Sequence, residues 1–378
     1  MSPPSYKALQ RALLDWYGKH QRDLPWRRSA DPYAIWVSEI LLQQTQVTTA
    51  EPYYKGFLRK FPTVQTLANA PLDDVLKAWE GLGYYARARN LHRAAQQVVL
   101  KFNGTLPQTI KELRTLPGIG AYTAGAIASI AFGLDEPVLD GNVTRVLCRV
   151  FRVRDNPKES ATQESLWRLA RALIPSGQAS TFNQALMDLG ATVCVPKQPR
   201  CLSCPLYDRC NARKHNEQAQ LPFKAKRTPT PHHHLAVGVV WKDDRLLLVQ
   251  RPTDQLLGGL WEFPGGKLKA NESKQRALAR HLEALGVRIR VKAPIASVKH
   301  AFTHFRITMH AFACTYVSGT LKRKGVANLA WVSVDDLDRY ALPKATHKVI
   351  AALKLTYSPC LKAGDCGVKR GLLPKAGV

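Results

Sequence analysis

The chain has 378 residues and is 45% hydrophobic, enough for two ordinary domains with buried cores and a linker between them. Its 55 lysines and arginines against 28 acidic residues leave a net charge of +27. That excess repels itself unless it meets a polyanion, so nucleic acid is the expected partner and an anionic membrane surface the alternative.

No apolar run approaches a membrane span, and Met1–Gln10 lacks the charged and apolar regions of a signal peptide. A soluble, intracellular chain with no membrane partner is expected, cytoplasmic and nucleoid-associated if the source is bacterial. Residues 6 to about 190 read as helical, punctuated at Pro62, Pro71, Gly81, Pro107, Pro117 and Pro137. Within them, Ile35-Trp36-Val37-Ser38-Glu39-Ile40-Leu41-Leu42-Gln43-Gln44-Thr45-Gln46 puts Glu39, Gln43 and Gln46 on one helical face. A solvated stripe would explain such a face, yet no lysine falls between Glu39 and Gln46 in a lysine-rich protein. A carboxyl in apolar surroundings holds its proton near neutral pH. Glu39 is therefore expected to be a general acid on a polar seam lining a cleft.

Gly81-Leu82-Gly83-Tyr84-Tyr85-Ala86-Arg87-Ala88-Arg89-Asn90 joins a flexible turn to aromatics that can wedge into a base stack and arginines that can neutralise phosphates. A packed tyrosine pair beside a basic helix face fits it equally. Leu116-Pro117-Gly118-Ile119-Gly120 precedes a small-residue helix. Gly118 and Gly120 would expose amides that, with the positive end of that helix, seat a phosphate. Asp140 opens Asp140-Gly141-Asn142-Val143 just before another helix, where it is a natural N-cap and can also face a cationic intermediate.

Cys194, Cys201, Cys204 and Cys210 follow as C-x6-C-x2-C-x5-C, a spacing that suits a metal centre, zinc or iron–sulfur. Arg200, Arg209, Arg213 and Lys214 would ride on that loop toward phosphates. Cys148, Cys314, Cys360 and Cys366 are scattered, as in a reducing compartment. A polar, basic linker is expected at 216–231, with His232, His233 and His234 at its solvated end. Beyond it come strands at Leu235–Trp241, Arg245–Gln250, Val287–Val291, Ile307–Tyr316 and Leu329–Val332, and helices at Ser273–Leu285 and Pro343–Leu355. The tail from Tyr357 is expected to be disordered.

The hairpin with its downstream Asp140, followed by this cysteine spacing, resembles the endonuclease III superfamily of helix–hairpin–helix base-excision enzymes. Trp36 to Val47 and Gly81 to Asn90 resemble the MutY-type adenine DNA glycosylases within it. The resemblance implies a multidomain fold: an all-α helix–hairpin–helix glycosylase domain (1–215) with a four-cysteine iron–sulfur loop at 194–210, then an α+β Nudix-like domain (232–356). It implies a monomer that acts on double-stranded DNA holding adenine opposite 8-oxoguanine or guanine, flipping the adenine out of the stack. Glu39 would protonate adenine at N7, and Asp140, kept ionised, would stabilise an oxocarbenium-like sugar. Tyr122 stands where bifunctional relatives carry a Schiff-base lysine. A phenol forms no imine, so base release without strand cleavage is implied. Trp26, Arg27, Gln184 and Asp188 would line or support the adenine pocket. Gln43, Gln44 and Tyr84 would contact DNA beside 8-oxoguanine, and the cysteines would hold a [4Fe–4S] cluster. Gly266-x5-Glu272-x7-Arg280 starts like a Nudix box, but Ala284, Leu285 and His281 replace expected carboxylates, so recognition without Mg²⁺ chemistry is implied. Phe302, Thr303 and His304 would form the loop that inspects 8-oxoguanine. A lysine-dependent glycosylase for oxidised pyrimidines and a non-enzymatic iron–sulfur DNA-binding protein are the rival readings.

Overall fold

The helical spacing of the first half and the alternation of the second become two separate architectures. The computed structural model describes residues 6–225 and 229–361. They form two compact units, one of residues 6–71 and 87–225, the other of residues 72–86 and 229–361.

The first unit is helical. The Tyr6–His20 helix buries Leu9, Leu13 and Tyr17, one residue per turn, in a cluster with Val143, Val146 and Leu147 of the Gly141–Val150 helix and Phe182 and Leu186 of the Ala179–Asp188 helix. The Pro32–Leu42 helix is buried at every position from Tyr33 to Leu41. It starts on Asp31, whose carboxylate accepts from Tyr33 N–H, and on Pro32 in the first turn. It packs against the Val47–Lys60 and Ala121–Phe132 helices. The latter is mostly small residues, and Gly125 lets the Pro137 carbonyl approach: a Cβ at 125 would sit 2.3 Å from that oxygen.

Glu39, Gln43 and Gln46 do not share a helical face. The helix stops at Leu42, Gln43 is its cap, Gln44 is left-handed (φ 57°), and Gln46 caps the next helix. The cause is Arg87, whose Nη1 donates to the carbonyls of Ile40, Leu41 and Gln43 at 2.9, 2.9 and 2.6 Å and satisfies the helix end in place of another turn. Arg87 is thereby buried and is no phosphate ligand. The linker also starts later than 216. Glu217 is bound by both Arg152 and Arg154, and buried Leu221 gives its carbonyl to Arg149 Nε at 3.0 Å, so the chain stays on the helical unit through Leu221.

In the second unit, β1 (His232–Lys242), β2 (Arg245–Gln250), β3 (Trp261–Glu262), β4 (Gly265–Lys267), β5 (Val287–Ala301), β6 (Arg306–Gly319) and β7 (Asn328–Ser333) form one mixed sheet. Its order is β3-β2-β1-β6-β5, with β4 on β1 and β7 on β2; β1 and β6 run parallel. Strand alternation sends Ala236, Val240 and Leu247 to one face, under Ala277, Leu278 and Leu282 of the Lys274–Ala284 helix. Val237, Val239, Leu246 and Leu248 go to the other, under Ala345, Val349 and Ile350 of the Lys344–Leu361 helix. His232–His234 are not a linker end but the start of β1, in register with Arg306–Thr308. The last helix continues to Leu361, past the break expected at Tyr357; residues 362–378, where the rest of the expected tail lies, fall outside the described residues.

Candidate active site

One buried carboxylate is bonded to a tyrosine, and a second from another helix acts on both through its charge. Glu39 sits in the apolar Pro32–Leu42 helix at 4% exposure. Tyr122, in the first turn of the Ala121–Phe132 helix, donates its hydroxyl to Glu39 Oε2 at 2.7 Å. Burial above all, with the Asp140 charge adding to it, pushes the Glu39 carboxyl up to about 7 against the downward pull of the Tyr122 bond and the Arg27 charge. Burial and the Glu39 charge raise Tyr122 well above the usual phenol range, so Tyr122 keeps its proton and serves only as donor. Glu39 Oε1 takes no hydrogen bond among the described residues.

Asp140 is the N-cap of the Gly141–Val150 helix. Its Oδ1 accepts from Val143 N–H at 2.6 Å and its Oδ2 from Asn142 Nδ2 at 2.9 Å. Burial outweighs these donors, so its carboxyl stands above the ordinary aspartate value. Asn142 is pinned by Arg145, whose Nη2 donates to Asn142 Oδ1 and to the Gly190 carbonyl, both at 2.7 Å, while its Nε donates to the Cys194 carbonyl at 2.7 Å. Gly190 is required there: a Cβ would lie 2.6 Å from Asn142 Cβ.

Asp188 is fully buried and ionic. Arg27 donates to both of its oxygens at 2.8 Å, and Arg22 donates to it from the backbone N–H, Nε and Nη2. Burial raises its carboxyl, but these two guanidinium groups outweigh that and hold it below the usual carboxylate range. Asp188 thus orients Arg27, whose charge reaches Glu39. Trp26 is buried edge-on against Tyr54 with ring centroids 5.5 Å apart. Gln184 is half-buried and donates to Ser180 Oγ at 3.3 Å. Gln43 donates to Thr123 Oγ1 at 3.1 Å, tying the end of the Glu39 helix to the residue after Tyr122.

In the hairpin, Leu116 and Ile119 are buried while Gly118 and Gly120 are exposed. Gly118 is left-handed (φ 81°), and a Cβ there would come within 2.8 Å of Asn90 Cβ. Gly120 caps the Ala121–Phe132 helix.

Cys194, Cys201, Cys204 and Cys210 line one cavity with Val146, Arg149, Leu206 and Tyr207. Buried Arg149 donates to Cys194 Sγ at 3.3 Å and to the Val195 carbonyl at 2.9 Å. Among the described residues no three His, Cys, Asp or Glu side chains converge as one metal ion requires. Arg213 lies over the Tyr207 ring at 3.5 Å.

In the sheet unit, Tyr84 is 42% exposed and its hydroxyl is 2.5 Å from Thr303 Oγ1. Thr303 and His304 are exposed, and Phe302 stacks on Phe305 at 4.7 Å, closing the loop with its N–H on the Phe305 carbonyl. Glu272 is locked to Arg280 by two 2.7 Å bonds, and the His281 ring fills the space over Gly266.

A family model described as the HhH-GPD superfamily of base excision DNA repair proteins matches residues 37–172, and one described as a NUDIX domain matches residues 236–352. The human protein described as adenine DNA glycosylase is 37% identical over 399 residues, spanning 90% of this chain and 73% of its own length. The chain belongs to the adenine DNA glycosylase family. A second member, from Buchnera aphidicola subsp. Acyrthosiphon pisum, is 32% identical and is spanned over 96% of its length by 90% of this chain. Among solved structures, a thermostable thymine-DNA glycosylase is 30% identical with a TM-score of 0.52, covering 56% of this chain and 97% of its own. An endonuclease III in a non-covalent DNA complex (22% identical, TM-score 0.50) shares the helical fold. No helix among the described residues is long and apolar enough to cross a membrane.

Sequence reasoning missed Arg22, Arg145 and Arg149. Each acts on a residue distant in the chain, and an isolated arginine in a basic protein carries no local signal. Asn142 was within reach, since it lies in the same short motif as Asp140.

Proposed function

We propose that this chain is a monofunctional glycosylase that excises adenine paired with 8-oxoguanine or guanine in double-stranded DNA. The observation that carries the reading is a buried carboxyl held near neutral, Glu39, bonded to Tyr122, with a second carboxyl from another helix, Asp140, near enough for its charge to act on both. Glycosidic cleavage needs such a pair, one proton donor and one anion. Tyr122 occupies Oε2, so the acid proton belongs on Oε1. That proton goes to N7 of the extruded adenine; the C1′–N9 bond breaks and its electron pair stays on the purine. The positive charge left on the sugar faces Asp140, held by the Val143 and Asn142 donors. Water then adds at C1′ and loses a proton, leaving an abasic site. Tyr122 has no amine to attack that site, so strands stay intact.

The four cysteines suit a [4Fe–4S] cluster. All four thiols line one cavity, so each could bind its own iron of such a cluster. Bound there, it would cross-link the 194–210 loop, and Arg149 would donate to its Cys194 sulfur. In the sheet unit, Tyr84 and Thr303 make one hydroxyl pair for reading the base opposite adenine, and the Glu272–Arg280 lock supports a domain that recognises without hydrolysing.

The test is base release from duplexes holding A opposite 8-oxoguanine, A opposite G, and A opposite T. Release from the first two alone is expected, with no borohydride-trapped covalent adduct. Release from all three, or from none, overturns the reading. Iron and acid-labile sulfide in equal amounts, with a visible charge-transfer band, are expected of the purified chain; stoichiometric zinc would reject the cluster.

A further inference from the structure

Residues 72–86 lie within the stretch matched by the helical repair family, yet they pack with the sheet unit. Polar anchors hold them there. Asp73 Oδ1 accepts from Gln250 Nε2 at 2.8 Å. Lys77 Nζ donates to the Tyr340 carbonyl at 3.1 Å and to Glu80 Oε2 at 2.6 Å. Glu80 Oε1 accepts twice, from Leu342 N–H at 2.7 Å and from His347 Nε2 at 2.8 Å. Burial raises the Glu80 carboxyl, but His347, Lys77 and the Leu342 amide outweigh it and hold the group below its usual range. An anion held by three donors is a firm attachment.

The turn that follows needs one. Gly81 and Gly83 are left-handed (φ 93° and 76°), and so is Tyr84 (φ 48°), a conformation a tyrosine adopts only when its surroundings impose it. Inside the turn, Trp79 Nε1 donates to the Gly83 carbonyl at 3.2 Å and Gly81 N–H donates to the Tyr85 hydroxyl at 3.1 Å. Its far end is the Tyr84–Thr303 contact at 2.5 Å. Its near end is Glu80, fixed to the start of the Lys344–Leu361 helix.

We infer that Glu80, clamped by the Leu342 amide and His347, is a positioning residue that sets the Gly81–Tyr84 turn so that Tyr84 and Thr303 meet the base opposite adenine as one unit. This rests on the proposed function. Glu80 touches no reacting group in that scheme; its effect is on the choice of mispair and runs through Tyr84.

The experiment compares single-turnover adenine release from A:8-oxoguanine and A:G duplexes in the full-length chain. Glu80→Ala is expected to lower the preference for A:8-oxoguanine about tenfold, the scale of a lost charge-assisted bond. His347→Ala removes one donor from the opposite side and should lower it in the same direction. Glu80→Gln keeps an acceptor for both donors and should retain most of the preference. In a Tyr84→Ala background, Glu80→Ala should add nothing. Equal loss on both duplexes, an unchanged preference, or full additivity with Tyr84→Ala overturns the inference. Thermal melting tracks folding, and if Glu80→Ala does not fold, a wild-type preference in folded His347→Ala overturns it as well. A wild-type chain that releases adenine from neither duplex refutes the proposed function itself, a separate outcome.

Discussion

Glu39 ties pH, activity and stability to one proton. Its carboxyl titrates at about 7 in the folded chain against an ordinary 4.5. Between those values the folded state holds a proton that the unfolded chain has released, so stability falls as pH rises through this window. The loss amounts to about 3 kcal/mol when complete. Glu39→Gln cannot ionise and escapes it. Denaturant unfolding should therefore show the variant gaining on the native chain between pH 5 and pH 8.5, while its base release drops by about 10²-fold or more. A stability difference that is the same at both pH values would refute a buried, titrating Glu39. The same proton governs the rate: release should decline above pH 7 as Glu39 ionises. On the acid side it should decline at a higher pH than an ordinary aspartate would give, because burial raises Asp140. Tyr122→Phe separates the two limbs. The Tyr122 hydroxyl lowers Glu39, so its removal should move the alkaline limb to higher pH and leave the acid limb in place; an alkaline limb that stays put or moves down would mean that Tyr122 does not act on Glu39.

The element that carries Glu39 is shaped from outside itself. The Pro32–Leu42 helix ends where Arg87 gathers three carbonyls, and Glu39 lies one residue before the first of them. Arg87→Met keeps the bulk of the side chain but leaves those carbonyls without their shared donor, at about 2–3 kcal/mol. Its melting temperature should fall, and base release should weaken as the Glu39 turn frays; an unchanged melting temperature would show that the carbonyls find other donors. Arg87 also marks where the sequence stopped being legible. Glu39, Asp140 and the four cysteines stand in local motifs whose chemistry is read from neighbours in the chain. The strands β1, β2 and β7 and the Lys274–Ala284 and Lys344–Leu361 helices follow from alternation, helical spacing and an N-cap such as Ser273. The shared face of Glu39, Gln43 and Gln46 was misread because periodicity cannot see an arginine from another helix end a turn. The short strands β3 and β4 were missed because two or three residues carry no period. Arg22 was invisible because its partner, Asp188, lies at the end of a helix far along the chain.

At the scale of the whole molecule, connectivity and packing part company. The sequence places residues 72–86 among helices, and their polar side chains bond within the sheet unit; no composition change marks either end of that excursion. Charge is the property legible at this scale without any structure, and it makes its own prediction. A net +27 is far more than solubility needs, and against DNA each neutralised phosphate releases counterions. If six to ten phosphates are contacted, a range of the order found for duplex-binding proteins, affinity for undamaged duplex should fall about 10³-fold or more between 50 and 200 mM salt. Selection of A:8-oxoguanine over A:T should respond differently, because base-edge contacts displace few counterions. The ratio of the two affinities should therefore stay nearly constant while both fall. Titrations of labelled duplexes at four salt concentrations separate the possibilities. A less than tenfold loss for undamaged DNA would mean that the surplus charge faces something other than the phosphate backbone. A ratio that collapses with salt would mean that mispair choice is itself electrostatic, which the neutral hydroxyl pair of Tyr84 and Thr303 could not supply.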